Sequence, residues 1–333
     1  MKFNKTKVED YLYTYFRKRK LVNLSVGVIV KEEAFFFNYG FENDSAVQGE
    51  SSLYETGSVT KLFVAAVYAS LVHKQQIQLQ DTLESLLSDR FDIAPQFRNI
   101  TIGSLLTHTS GLPRLPEGFL ELIGDMDNPY KDFDDSIIIE YLKLGEDAVT
   151  NKKYEYSNLG YGILGFILTV IFEKELFAII KDVILDPLDM SETTILPFAE
   201  PGMLLQGYNA SNIIKPHWEM NVFQGAGFLV SNTNDIVKYL RGHLDTCGPL
   251  FSFLSLTQVF ENKNRVALGW HRYGWLATIL RINKYIWHNG MTGGFTSYVA
   301  INPRAKTGAV ALTNKTDELD ECMFGVYSYL GIG

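Results

Sequence analysis

The stretch GSVTKLFVAAVYASLV, Gly57 to Val72, sets a serine and a lysine one helical turn apart at the start of an apolar helix. At a spacing of i, i+3 the Ser58 hydroxyl and the Lys61 amine share one helix face and come within reach of each other. Free serine is a poor nucleophile, and a neighbouring lysine that gives up its proton activates it. The pair points to an enzyme that acylates Ser58. Alone it carries little weight, because a chance Ser-x-x-Lys is expected about once in a chain of this length. A serine near a helix start followed by a solvated lysine explains it equally well. Company changes that: one Tyr-x-Asn (Tyr156, Asn158) and one His-x-Gly (His288, Gly290) follow in order.

The 333 residues are enough for a large core, in one unit or two closely joined lobes. A hydrophobic content of 46%, with 13% aromatic residues, is that of a globular chain. The net charge of −8 argues against a nucleic-acid partner, which needs clustered positive charge. The basic run Arg17–Lys20 lies on a predicted N-terminal helix and reads as a solvated face. Cys247 and Cys322 lie far apart without metal-ligand spacing and read as free thiols of a reducing compartment. The six histidines form no His-x-His or His-x-x-x-His pair, so neither a metal nor a cofactor is expected. The N-terminal segment is charged throughout and does not read as a secretory signal. The longest apolar runs, Leu62–Val72 and Tyr161–Phe172, fall short of the roughly 20 residues a membrane span needs. A cytoplasmic protein without a membrane span is expected.

Along the chain, Lys5–Lys20 reads as a helix, and Leu24–Val30 with Ala34–Tyr39 as a β-hairpin turning at Lys31-Glu32-Glu33. The middle is helical: an amphipathic helix at Leu62–His73, another at Ile102–Thr107 stopped by Ser110-Gly111-Leu112-Pro113, then Asp134–Leu144, Gly160–Phe172 and Glu173–Ile184. Three strands return late, Arg281–His288, Thr296–Ile301 and Gly308–Leu312, and Asp317–Leu330 closes as a helix. Short connections between these strands imply antiparallel pairing. The predicted fold is α+β: an antiparallel sheet built from both chain ends and flanked by helices, with an inserted all-helical lobe. The expected division is residues 1–60 plus 265–333 for the sheet lobe and 61–264 for the mostly helical one. Ser58 falls at their junction, where clefts form.

From about residue 20 to the end the chain resembles the serine β-lactamase and penicillin-binding protein superfamily. The likeness is to the class C-like branch that also holds esterases and D-amino-acid peptidases. It rests on ETGSVTKLF (55–63), ITIGSLLTHTSGLP (100–113) and YEYSNLGYGILG (154–165). It continues through DPLDMSET (186–193), GAGFLVSNTNDIVKYL (225–240) and WHNGMTGGFTSYVAINP (287–303). The resemblance implies Ser58 as nucleophile, Lys61 as the partner that takes its proton if burial lowers its pKa, and Tyr156 as the proton shuttle to the leaving group. An ammonium on Lys61 would pull the phenol toward phenolate. Asn158 is implied as an orienting residue, and the backbone N–H groups of Ser58 and Met291 as an oxyanion hole. The Tyr-Ser-Asn segment also reads as a turn entering a helix, with Ser157 or Asn158 as its N-cap.

His288-Asn289-Gly290 stands where β-lactamases usually carry Lys-Thr-Gly on an edge strand. His288 and Gly290 are implied in substrate binding, the glycine letting a substrate backbone lie along the strand. A strand-end histidine without a catalytic task is the plainer reading. A neutral histidine replaces the usual cation, and Asn289 and Met291 replace hydroxyl residues. These departures weaken the case for a penicillin or a free C-terminal carboxylate and favour an ester or small amide. His108 reads as structural, and Gly225-Ala226-Gly227 as close backbone packing rather than a phosphate loop.

The expected function is a serine hydrolase of esters, small amides or D-amino-acid peptides, with weak β-lactam hydrolysis. The alternatives are a penicillin-recognising or peptide-sensing protein that acylates without efficient turnover, and a D-Ala-D-Ala carboxypeptidase. A Ser-His-Asp α/β-hydrolase is disfavoured by the missing Gly-x-Ser-x-Gly elbow.

Overall fold

Asn23–Val30 forms strand β1 and Glu33–Gly40 returns beside it as β2, through a turn in which Lys31 takes a left-handed φ of 58°. The structure, a computed structural model, describes residues 3–40, 49–145, 153–196, 198–199, 202–261, 265–274 and 283–330. The distal part of the chain supplies β3 (His271–Arg272), β4 (Ile286–Met291), β5 (Thr296–Asn302) and β6 (Thr307–Thr313). Together they make one six-stranded sheet in the order β2-β1-β6-β5-β4-β3, antiparallel at every step. Both ends of the chain thus meet in one sheet, β1 against β6, as expected for an α+β fold of this kind.

Helices α1 (Lys5–Arg19), α2 (Thr60–His73), α3 (Asn158–Phe172), α4 (Thr233–Leu244) and α5 (Asp320–Tyr329) are the longest. Period-two alternation along β1 serves both faces of the sheet. Leu24, Val26 and Val28 join a core with Val8, Leu12, Met323 and Val326 of α1 and α5. Ile29 joins the main core with Ile236 and Val237 of α4. Gly27 lets α4 come close, since a Cβ there would stand 2.6 Å from Val237. Because helices cover both faces, β1 reads as a nearly unbroken apolar run rather than alternating apolar and polar residues.

Three details depart from expectation. Helix α2 is not amphipathic: every residue from Thr60 to Leu71 is buried, Lys61 included. Its all-round burial makes it a central post for the helices on one side of the sheet, α3 and the Leu176–Ile180 helix among them. The expected single helix at 173–184 is broken. Glu173 ends α3 in a left-handed conformation, Leu176–Ile180 forms a short helix, and the chain then widens into a π turn at Lys181–Leu185 before Pro187. The strand expected from Arg281 begins at Ile286 and runs on to Met291; Arg281 and Ile282 lie outside the described residues. The segment between the two halves of the sheet is mainly helical and adds short strands. Tyr54–Glu55, Leu229–Ser231 and Thr194–Ile195 pair as one small sheet, too short for any periodicity to register.

Candidate active site

Ser58 sits in a single 3-10 turn, Gly57–Val59, that runs directly into α2. That turn is pinned from several sides. Thr56 Oγ1 donates to the Leu229 carbonyl at 2.8 Å, and Ser297 Oγ donates to the Thr56 carbonyl at 2.6 Å. Just before it, the buried Glu55 carboxylate pairs with His217 Nδ1 at 2.8 Å.

One turn into the helix, Lys61 points back at Ser58 with Nζ 3.0 Å from Oγ. The same nitrogen lies 3.0 Å from Asn158 Oδ1 and 2.7 Å from the Ala226 carbonyl. A neutral amine has two N–H donors and one lone pair. Two carbonyl oxygens absorb the donors, and the lone pair is left for the Ser58 hydroxyl. The surroundings favour that neutral form. Lys61 is completely buried, which pushes its pKa well below that of an ordinary lysine, and the Arg114 guanidinium pushes it further down.

Tyr156 arrives from the segment just before α3. Its hydroxyl hydrogen-bonds with Ser58, and its ring lies 4.9 Å from Lys61 Nζ. Burial raises the phenol pKa, and the hydrogen bond to Ser58 and the charge of Arg114 only partly offset this. An ammonium on Lys61 was expected to pull the phenol toward phenolate; burial instead pushes both groups toward their neutral forms. Tyr156 is held by the start of α3, where Ser157 is the N-cap: its Oγ accepts from the Gly160 N–H at 2.8 Å and donates to the Pro113 carbonyl at 2.6 Å. His108 is the other fixing point. Its buried ring accepts from the Ser157 N–H at 3.1 Å and lies 4.5 Å, centroid to centroid, from Tyr156. With Ser157 occupied as cap, Asn158 is free to reach Lys61 and also hydrogen-bonds with Tyr130.

Strand β4 closes the opposite side. A Cβ on Gly290 would stand 2.1 Å from the Thr56 carbonyl oxygen and 2.8 Å from the Ser58 nitrogen. Gly57, at a φ of 50°, makes the reciprocal approach: a Cβ there would stand 2.8 Å from the Met291 nitrogen. Only glycine permits that contact, and it brings the Ser58 and Met291 backbone nitrogens into the same corner. The Met291 side chain itself is exposed. Gly290→Ala is accordingly expected to lower kcat/KM by about 10²-fold, because displacing the turn or the strand misplaces the reacting groups. Kinetics with circular dichroism as a fold control checks this; full activity in the variant would contradict it.

His288 is buried with only 1% exposure, so its influence on a substrate passes through its neighbours. Its Nδ1 lies 2.6 Å from the Asn289 carbonyl, and its ring packs 4.9 Å from His271 and 6.3 Å from Tyr156. Burial first, then the neighbouring charges, holds His288 well below the ordinary histidine range, and His271 is pushed down to about 4. At neutral pH the usual strand cation is thus absent. His271 and Arg114 carry no role in the sequence reading, and Ala226 appears there only within the Gly225-Ala226-Gly227 run read as close backbone packing. His271 lacked any motif and Ala226 acts through its backbone; Arg114 alone had a signal, directly following the Thr-His-Thr-Ser-Gly-Leu-Pro run.

The family model described as Beta-lactamase matches residues 8–322. The chain belongs to the β-lactamase family. Among curated relatives, a β-lactamase of Providencia stuartii is 23% identical over 363 residues, covering 97% of this chain and 90% of the relative. An unguisins hydrolase of Aspergillus campestris is 25% identical, covering 88% of this chain, which spans only 58% of that relative's length. Among solved structures, a β-lactamase/D-alanine carboxypeptidase from Pseudomonas syringae superposes with a TM-score of 0.79 at 19% identity, over 98% of both chains. This family member is accordingly a serine hydrolase, with an α+β fold of the class C β-lactamase type. Among the described residues no helix is long and apolar enough to cross a membrane.

Proposed function

We propose that the protein acylates Ser58 and hydrolyses an ester or a small amide, D-amino-acid peptides included. The supporting observation is the buried Lys61 amine 3.0 Å from Ser58 Oγ, with two carbonyl oxygens occupying its donors. Neutral Lys61 takes the Ser58 proton as Oγ bonds to the substrate carbonyl carbon. The developing oxyanion is met by the Ser58 and Met291 N–H groups. The bond to the leaving group then breaks while the Tyr156 hydroxyl gives that atom a proton and is reprotonated from Lys61. Water attacks the acyl-enzyme, its proton passes back along the same groups to Ser58 Oγ, and the acid is released. Asn158 orients Lys61, while His288 supports Tyr156 and Gly290 keeps the strand close. The two free thiols, exposed Cys247 and buried Cys322, support a reducing, cytoplasmic setting.

A burst of p-nitrophenol from p-nitrophenyl butyrate followed by steady turnover is expected. A stoichiometric burst with no later rate would instead favour a protein that acylates without turnover, and nitrocefin and D-alanyl peptides tested beside it separate β-lactamase from carboxypeptidase activity.

The charge state of Lys61 sets the pH dependence. Lys61 is a base only when neutral, so acylation should rise with pH through its lowered pKa and then level off well below 10.5, where an ordinary lysine is still protonated. A pre-steady-state pH profile measures this; a rate that keeps climbing to about pH 10.5 would show that Lys61 is not held neutral.

A further inference from the structure

The cation that His288 does not provide has a counterpart across the cleft. Arg114 is exposed, and its guanidinium carbon lies 5.4 Å from the centroid of the Tyr156 ring. Its own backbone carbonyl accepts from the N–H groups of Asn158 and Leu159, at 3.0 and 3.1 Å, so the residue is fixed to the same helix start that carries Tyr156 and Asn158. Its side chain makes no ion pair with any described residue. By contrast Lys131 pairs with Asp125 and Lys215 with Asp127, both at 2.7 Å. The charge reaches into the site, since it acts on Lys61, Tyr130, Tyr154 and Tyr156 alike. An exposed guanidinium beside the Tyr156 ring, with no ion-pair partner among the described residues, offers a planar, two-pronged donor to a carboxylate.

We propose that Arg114 is a specificity-determining residue that binds an anionic group, a carboxylate above all, on the leaving-group portion of the substrate. This rests on the acyl-enzyme reading, in which Tyr156 hands its proton to the leaving atom; whatever departs leaves past Tyr156 and beneath Arg114. The ester or small amide favoured by the His-Asn-Gly motif is thereby narrowed to one whose leaving group carries a carboxylate. Positive charge is not lost from the site but moved from the edge strand to the loop that follows the Ile102–Leu106 helix, and the substrate class becomes esters or amides of hydroxy or amino acids.

The test compares 3-carboxyphenyl acetate with 3-carbamoylphenyl acetate, whose leaving groups differ mainly in charge. The wild-type enzyme should prefer the anionic ester in kcat/KM by about tenfold, the size of one charge-assisted hydrogen bond. The preference should shrink in high salt, collapse toward unity in Arg114→Gln and return in part in Arg114→Lys. In parallel, calorimetry on Ser58→Ala protein should show 3-hydroxybenzoate binding more tightly than 3-hydroxybenzamide, with the difference gone in Ser58→Ala/Arg114→Gln. No wild-type preference, or an equal fall for both esters in Arg114→Gln, would overturn the assignment, the latter because it leaves Arg114 acting only through Lys61. The binding arm needs no chemistry. Absent Ser58 acylation would therefore defeat the acyl-enzyme reading, while the calorimetric difference still decides for or against Arg114.

Discussion

Replacing Ser58 with alanine should abolish covalent labelling by a fluorescent penicillin or a fluorophosphonate and lower ester turnover by about 10⁴-fold or more, because the nucleophile itself is gone and nothing else in the cleft replaces it. The fold should survive. Alanine at position 58 removes one hydroxyl whose partners are Lys61 and Tyr156, and Lys61 keeps the Asn158 and Ala226 oxygens. Loss of these two part-buried hydrogen bonds costs about 1–3 kcal/mol, a shift of a few degrees in Tm. Mass spectrometry of the intact protein after probe treatment reads the outcome directly. A Ser58→Ala protein that still gains the mass of the probe would refute the nucleophile assignment.

Lys61→Met should slow acylation by about 10²- to 10⁴-fold, the range for losing a general base. Methionine keeps most of the side-chain volume, so this variant separates chemistry from folding better than alanine. Lys61→Ala would also open a cavity in a helix buried on all sides and leave the Asn158 and Ala226 carbonyl oxygens unpaired. That combination costs about 2–5 kcal/mol. In Lys61→Met the two oxygens are still stranded, so stability should fall by about 1–3 kcal/mol while the cavity is avoided. Single-turnover rates with p-nitrophenyl butyrate measure the loss. A Lys61→Met enzyme acylating at the wild-type rate would remove this lysine from the mechanism and shift the base onto Tyr156.

The local signals were legible because they obey short-range geometry. The spacing of Ser58 and Lys61 along one helix face needs only 3.6 residues per turn, and Ser157 caps α3 because its oxygen meets an unpaired N–H three residues on. The strands β1, β2, β5 and β6 announced themselves by apolar and aromatic runs between polar turns. Helix α2 was misread in character, not in place. A run such as LFVAAVYASLV has too little polarity to show which face is outward, and none is. β3 is two residues long and was invisible for that reason. Arg114 was overlooked because an exposed arginine in a loop looks ordinary until the ring beneath it is seen.

From the amino-acid order alone came the groups of the candidate site, the family and the antiparallel sheet, since motifs, caps and apolar periodicity are written residue by residue. Their protonation was not. Enclosure of α2 on every side drives the Lys61 pKa well down, burial raises that of the Tyr156 phenol, and burial beside His271 holds His288 well below the ordinary histidine range. Desolvation depends on everything packed around a group, including residues a hundred positions away. Only the tertiary structure therefore decided in which direction each of these groups is pushed, and that the Arg114 guanidinium lies beside the Tyr156 ring.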